Sequence, residues 1–385
     1  MGLKLYLLFF SVLILTIFAY FTNKKQLIAP SFLFSFPFLI SSFVAMLYEK
    51  KWLLQLSNNV YWLIVLSIFL FIIISWVISL IIPKSVDNFD GMDRYLKINE
   101  YSIEVANYKK IIIIVIELLT FIVVIRSLKS ITGMGDLSSA IDAYRLRNVF
   151  SDSPLPLPLI ASMLWRFSYA ATFFFGYQLV KEKVIYKKWD KLIFIIVLLG
   201  FGISFLQGNR TSTINLLISM FIFYYILNIK KDHRNKNIIY IFIGLFVGIL
   251  VLSTFQYIAT LFGRSEVSGV DPGAYLAEYL GAEIANLDYF VKTYPFPTCP
   301  TFLHSVTFAN MASTINSILG INFLNPTKKL LIFRVVNGYD MGNVYTTFMP
   351  WLADWGYKVV PLFIIVQASI SEIIYQKISI PKVRI

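Results

Sequence analysis

Arg210 is the residue whose type and setting say most about chemistry. It sits in the short polar turn Gly208-Asn209-Arg210-Thr211-Ser212 between two apolar runs. An apolar helix is expected directly after it, with Thr211 or Ser212 placed to cap it. Free backbone N–H groups and the helix dipole favour an anion at such an end. A guanidinium adds a two-pronged grip on phosphate oxygens. The turn is therefore a candidate diphosphate seat, weighed against an interfacial arginine that only snorkels to lipid headgroups. Arg166, Arg264 and Arg334 are further phosphate candidates. Arg126, Arg166 and Glu117 lie inside apolar runs, where charge is costly and usually functional; a structural Arg166–Glu117 pair is an equal reading. His304 lies in an apolar stretch and titrates near neutrality, which makes it a candidate base, although a lone His there is more often structural. Asp354 is a second candidate base, set against a simple i,i+4 pair with Lys358.

Other chemistries find no footing. There is no G-x-x-x-x-G-K-[ST], no H-E-x-x-H and no D-x-D, and only two His are present. The single cysteine, Cys299, excludes an intrachain disulfide and a multi-cysteine metal site. Asp87, Asp90 and Asp93 fit a solvated loop. Glu278 and Glu283 are five apart, which puts them on different helix faces and favours solvated positions over a carboxylate pair. Tyr275 and Tyr279 share a face at i,i+4 and can stack on sugar rings, with ordinary packing as the commoner explanation.

The elements that must position these residues follow from composition. Hydrophobic residues make up 58% and charged residues 14% of 385, against about 25% charged in a soluble domain, and mean hydropathy is +0.72. A soluble core cannot hide that much apolar surface. The class is a polytopic all-α membrane protein. The net charge of +13 is first explained by Lys and Arg fixing topology, not by nucleic acid.

Apolar runs near the bilayer length of about 20 residues occur at Leu5–Asn23, Gln26–Tyr48, Val60–Ile82, Ile111–Leu128, Pro156–Val180, Leu192–Gln207, Thr211–Ile229, Asn237–Gly263 and about Val344–Ile374. That predicts nine spans, with nine to eleven the expected range. The first lacks a small-x-small cleavage site and is expected to be retained. Lys and Arg crowd the odd-numbered loops and the C-terminal tail, which places those in the cytoplasm and the N-terminus outside. The outside then holds an amphipathic surface helix at Asp136–Phe150 and a long segment after Arg264. The expected organisation is a membrane domain over 1–263, a large periplasmic loop over 264–342, and a final span with a short tail over 343–385.

At the end of that loop, Gly342-Asn343-Val344-Tyr345-Thr346-Thr347-Phe348-Met349-Pro350-Trp351-Leu352-Ala353-Asp354-Trp355-Gly356 resembles the N-V-Y-T…Y-x-D-F-G segment of bacterial oligosaccharide repeat-unit polymerases, the Wzy-type O-antigen polymerases. The Gln207-Gly208-Asn209-Arg210-Thr211 turn is similar to that family's Arg turn, and the long outside loop fits its architecture. The Arg-x(10)-Gly motif of some members is absent at Arg145, Arg147, Arg264 and Arg334, so those assignments do not carry over. The resemblance implies a GT-C-like fold in the bacterial inner membrane. It also implies transfer of a growing glycan from undecaprenyl diphosphate to a lipid-linked repeat unit at the periplasmic face, without nucleotide sugar, metal or other cofactor. Membrane lipid and a chain-length regulator protein are the implied partners. A glycolipid flippase or transporter, and another glycan-lipid transferase or ligase, remain the alternatives; the absence of internal repeats weighs against a transporter.

Overall fold

The computed structural model describes residues 2–23, 25–82, 105–150, 156–206, 208, 210–232, 271–297, 305–309 and 333–377, with isolated residues between 239 and 248 and at 311, 312 and 315. The described residues are mostly helical and fall into two compact units. One joins 1–85 to 270–379; the other holds 86–269 and the last six residues.

The first unit begins with α1 (Leu3–Thr22), α2 (Pro30–Leu47) and α3 (Asn58–Ile81). Pro30 occupies the first turn of α2, where its missing N–H costs nothing. Ser57 caps α3 by accepting from Val60 N at 3.3 Å. The core between these helices is mainly apolar, with Phe34 and Phe71 stacked at 4.2 Å and small buried hydroxyls such as Ser35 and Ser67 set among the apolar side chains. After residue 270 the chain adds α9 (Pro272–Thr293), β1 (Arg334–Val336), β2 (Tyr339–Gly342), α10 (Phe348–Trp355) and α11 (Val360–Lys377). Asp271 caps α9 on Gly273 N and Ala274 N, with Pro272 in the first turn.

The second unit contains α4 (Asn107–Thr132), α5 (Leu137–Phe150), α6 (Leu159–Lys181) with a π-helical turn at Glu182–Tyr186, α7 (Lys191–Phe205) and α8 (Arg210–Asp232). Asp190 caps α7 and takes Lys110 of α4 in an ion pair at 2.5 Å. The amphipathic helix expected before Pro154 is α5. Its Ala140, Ile141 and Tyr144 are buried with Val124 and Leu128 of α4 and Leu206.

Five described helical stretches are long and apolar enough to cross a membrane: Leu3–Thr22, Pro30–Leu47, Asn58–Ile81, Asn107–Thr132 and Thr211–Asn228. α7 is apolar but has only 15 residues. The run at Asn237–Gly263 lies mostly outside the described residues. The run at Val344–Ile374 is not one helix. α10 stops at Gly356, whose φ of +74° breaks the helical path, and α11 starts afresh at Val360.

Two details differ from expectation for clear reasons. Arg210 is itself the first residue of α8, so Thr211 and Ser212 lie within its first turn instead of capping it. Residues 334–342 form a hairpin, paired Arg334↔Gly342, Val335↔Asp340 and Val336↔Tyr339, around an Asn337-Gly338 turn with positive φ at both residues. That turn geometry matches the strand twist, which is why Asn-Gly nucleates hairpins.

Candidate functional site

In the first unit, α2 ends and α3 begins at the connection over residues 48–57, and α1 starts beside it through a hydrogen bond from Gly2 N to Glu49. α9 lies against this end. A Cβ at Gly281 would stand 2.7 Å from Val44 Cγ1 and 3.0 Å from Ala45 N, so the missing side chain is what lets α9 approach α2. Ser41 Oγ lies within hydrogen-bond reach of both Leu280 O, at 2.8 Å, and the Glu283 carboxyl group, with a single proton to give between them. Asp288 accepts from Ser57 N at 2.8 Å and pairs with Lys292 at 2.5 Å. Glu283 is thus enclosed against α2 and not on the solvated face expected for it.

On the other side of α9 stands Arg334, the first residue of the hairpin. Its Nη1 donates to Ala285 O at 3.1 Å and to Asn286 Oδ1 at 2.9 Å. The guanidinium carbon lies 3.8 Å from the centroid of the Tyr289 ring, a close cation–π contact. Desolvation draws the Arg334 pKa down, and Tyr345, Tyr289, Asp288 and Tyr294 oppose it. An arginine stays cationic under such a shift. Burial pushes the neighbouring Tyr345 hydroxyl up, partly offset by Arg334. Among the described residues Nε and Nη2 donate to nothing, so one two-pronged edge of the guanidinium is uncommitted while its plane is fixed by three contacts. That edge matches the spacing of two oxygens on a phosphate or carboxylate.

Asn286 is fully buried and ties this arrangement together. Its Nδ2 donates to Met341 O at 2.9 Å and to Val344 O at 2.8 Å, while Oδ1 receives Arg334. α9, the hairpin and the Gly342–Gly356 stretch therefore meet at one amide. Gly342 opens that stretch with a φ of +56°, and a Cβ there would lie 2.3 Å from Glu278 Oε1.

Asp354 does not pair with Lys358, because α10 ends between them. It is 1% exposed and accepts from Val306 N at 2.9 Å, Thr307 N at 2.8 Å and Thr307 Oγ1 at 2.6 Å. It anchors the chain just after His304, which lies outside the described residues, as does Arg264.

In the second unit, Gly208, just before α8, lies against α5. A Cβ at Gly208 would meet Arg145 Cβ and Ile141 at 3.2 Å, so Arg145, bridged to Asp142 at 2.9 Å, lies beside the turn. The Arg210 side chain is not among the described groups. Arg166 and Arg126 are exposed. Arg166 makes no ion pair with Glu117; that carboxylate is fully buried and accepts from Ser168 Oγ.

Of the four arginines picked out in the sequence, Arg334 is the one shown here in a built setting. Asn286, Tyr289 and Tyr345 support it and were not singled out. A signal existed for the first: asparagine is a poor mid-helix residue unless its amide has a task, and Asn286 and Tyr289 sit three apart on one helix face. Tyr345 lay in plain view inside the signature stretch.

No curated protein and no solved structure matches the chain. A family model described as O-antigen polysaccharide polymerase Wzy matches residues 2–272. The match includes the Arg210 turn and stops before Arg334 and the Gly342–Gly356 stretch. It covers well over half of the 385 residues, and the chain belongs to the O-antigen polysaccharide polymerase Wzy family.

Proposed function

We propose that the protein extends O-antigen chains at the periplasmic face of the bacterial inner membrane. The growing glycan is the donor, carried on undecaprenyl diphosphate, and one lipid-linked repeat unit is the acceptor. A hydroxyl of the acceptor sugar attacks the anomeric carbon of the donor. The new glycosidic C–O bond forms, the C–O bond to the diphosphate breaks, the hydroxyl proton passes to a base, and undecaprenyl diphosphate leaves. Charge builds on the leaving diphosphate, and a fixed cation aimed at it lowers the barrier.

The observation that supports this role at Arg334 is its plane held over Tyr289 with one edge uncommitted among the described residues. A preset fork loses little freedom when it takes two phosphate oxygens. Arg210, at the start of an apolar helix of the second unit, is proposed as an alternative candidate for the diphosphate contact, as are Arg264 and Arg166, and His304 is proposed as the base. Asp354 is assigned the anchoring of the segment after His304. A GT-C-like membrane fold and a chain-length regulator as partner belong to the same reading.

In a host that makes lipopolysaccharide, deleting the gene is expected to leave lipid A–core bearing at most one repeat unit, because ligation continues while extension stops. Complementation with the wild-type gene restores the ladder; complementation with Arg334→Ala at equal protein abundance does not. Long ladders in the deletion strain would overturn the function, and a normal ladder from Arg334→Ala would remove Arg334 from it.

A further inference from the structure

We propose that Asn286 is a positioning residue whose buried amide sets the direction of the Arg334 guanidinium and the seat of the signature stretch together. The inference rests on the reading of Arg334 as the diphosphate contact.

The amide has three hydrogen-bonding directions filled: two N–H groups to Met341 O and Val344 O, and one oxygen from Arg334 Nη1. Its orientation is forced. Turned over, the oxygen would face two carbonyl oxygens and the NH2 would face a guanidinium, so every contact would become repulsive. A residue that must donate to two carbonyls while accepting from a cation can only be a carboxamide. Asp cannot donate, Leu can do neither, and at a fully buried position no water is at hand to make up the loss.

The consequence is directional. Nη1 also has Ala285 O, and Tyr289 holds the plane from below. A plane resting on a ring can still rotate about the ring normal. Two acceptors on one nitrogen stop that rotation and fix where Nε and Nη2 point. The same amide clasps β2 at Met341 and the chain beyond it at Val344. Loss of Asn286 would therefore free both the rotation of Arg334 and its register against the Gly342–Gly356 stretch, without removing any charge. Tyr345, next to the clasped carbonyl, would lose its fixed place beside Arg334 as well.

The test is a double-mutant cycle on purified protein in detergent, with undecaprenyl diphosphate as the probe and the dissociation constant as the readout. Arg334→Ala is expected to weaken binding roughly 10- to 100-fold, the range for a charge-assisted bidentate contact. Asn286→Ala is expected to weaken it by a similar or smaller factor, and Asn286→Ser, which keeps one polar group, by less. The double variant Asn286→Ala/Arg334→Ala is expected to bind no worse than Arg334→Ala alone, because Asn286 acts only through the arginine. Thermal unfolding of each variant separates fold from function. Where Asn286→Ala does not fold, Asn286→Ser carries the cycle. Wild-type affinity in folded Asn286→Ala or Asn286→Ser beside a weakened Arg334→Ala would overturn the positioning role alone. Losses that multiply in the double variant would do the same. Wild-type affinity in Arg334→Ala would overturn the reading beneath it, and the proposal with it.

Discussion

Asp354 accepts three hydrogen bonds from Val306 and Thr307, filling most of the directions in which a carboxylate can accept. That suits an anchor better than a base that must meet a substrate hydroxyl. Asp354→Asn turns an NH2 toward donors that need an acceptor, and at a buried site this should cost roughly 2–4 kcal/mol. The melting temperature of the purified variant is expected to fall along with activity. Loss of the glycan ladder with an unchanged melting temperature would instead make Asp354 the base. At Arg334, Lys keeps the charge but lacks the planar fork and packs less well on Tyr289. Polymerisation by Arg334→Lys is expected to slow by about 30- to 1000-fold, equivalent to roughly 2–4 kcal/mol of transition-state stabilisation, read as shortened ladders at equal abundance. The sequence alone could rank Arg334 as one of four arginines, since residue type and position in the long segment after Arg264 are visible there. It could not show the grip of Asn286, because contacts between residues 48 and 58 positions apart leave no mark in local spacing.

At the scale of elements, five of the nine expected spans coincide with described helices long and apolar enough to cross a membrane; these were legible because a long apolar run has few other folds open to it. α5 was legible from the helical spacing of its buried side, Ile141 and Tyr144 included. The hairpin was equally legible in Val336-Asn337-Gly338-Tyr339, but reading by apolar runs passes over strands of three and four residues. The break at Gly356 was hidden for the opposite reason: the apolar run continues straight through a glycine whose positive φ only the fold reveals. Two glycines carry the placement of α9. Gly281→Val is expected to push α9 off α2, since even a Cβ would meet Ala45 N at 3.0 Å; membrane-extracted protein should lose thermal stability by several degrees. Gly342→Ala meets both strain at φ +56° and the Glu278 carboxylate. Adding Glu278→Ala should relieve the overlap but not the backbone strain, so abundance is expected to recover in part. Full recovery would mean that the left-handed conformation costs nothing there, against the usual 1–2 kcal/mol or so.

For the whole molecule, class and family were carried by composition and by two short stretches, whereas the division into units was not. The first three spans belong with the chain after residue 270, a grouping that joins residues more than 200 positions apart and is invisible to any window along the sequence. Topology is testable directly. With Cys299 replaced by Ser, a cysteine at the exposed hairpin position Asn337 is expected to react with a membrane-impermeant maleimide in intact, outer-membrane-permeabilised cells. Reaction only after lysis would put this end of the first unit in the cytoplasm. The central claim, that this chain joins lipid-linked repeat units with Arg334 holding the departing diphosphate, is tested most directly by reconstitution. Purified protein in liposomes is given lipid-linked repeat units extracted from the deletion strain, and products are resolved by chain length. The expected result is glycan chains of many units from the wild type, with one undecaprenyl diphosphate released per linkage, and little extension by folded Arg334→Ala. No extension by the wild type, or equal extension by Arg334→Ala, would contradict it.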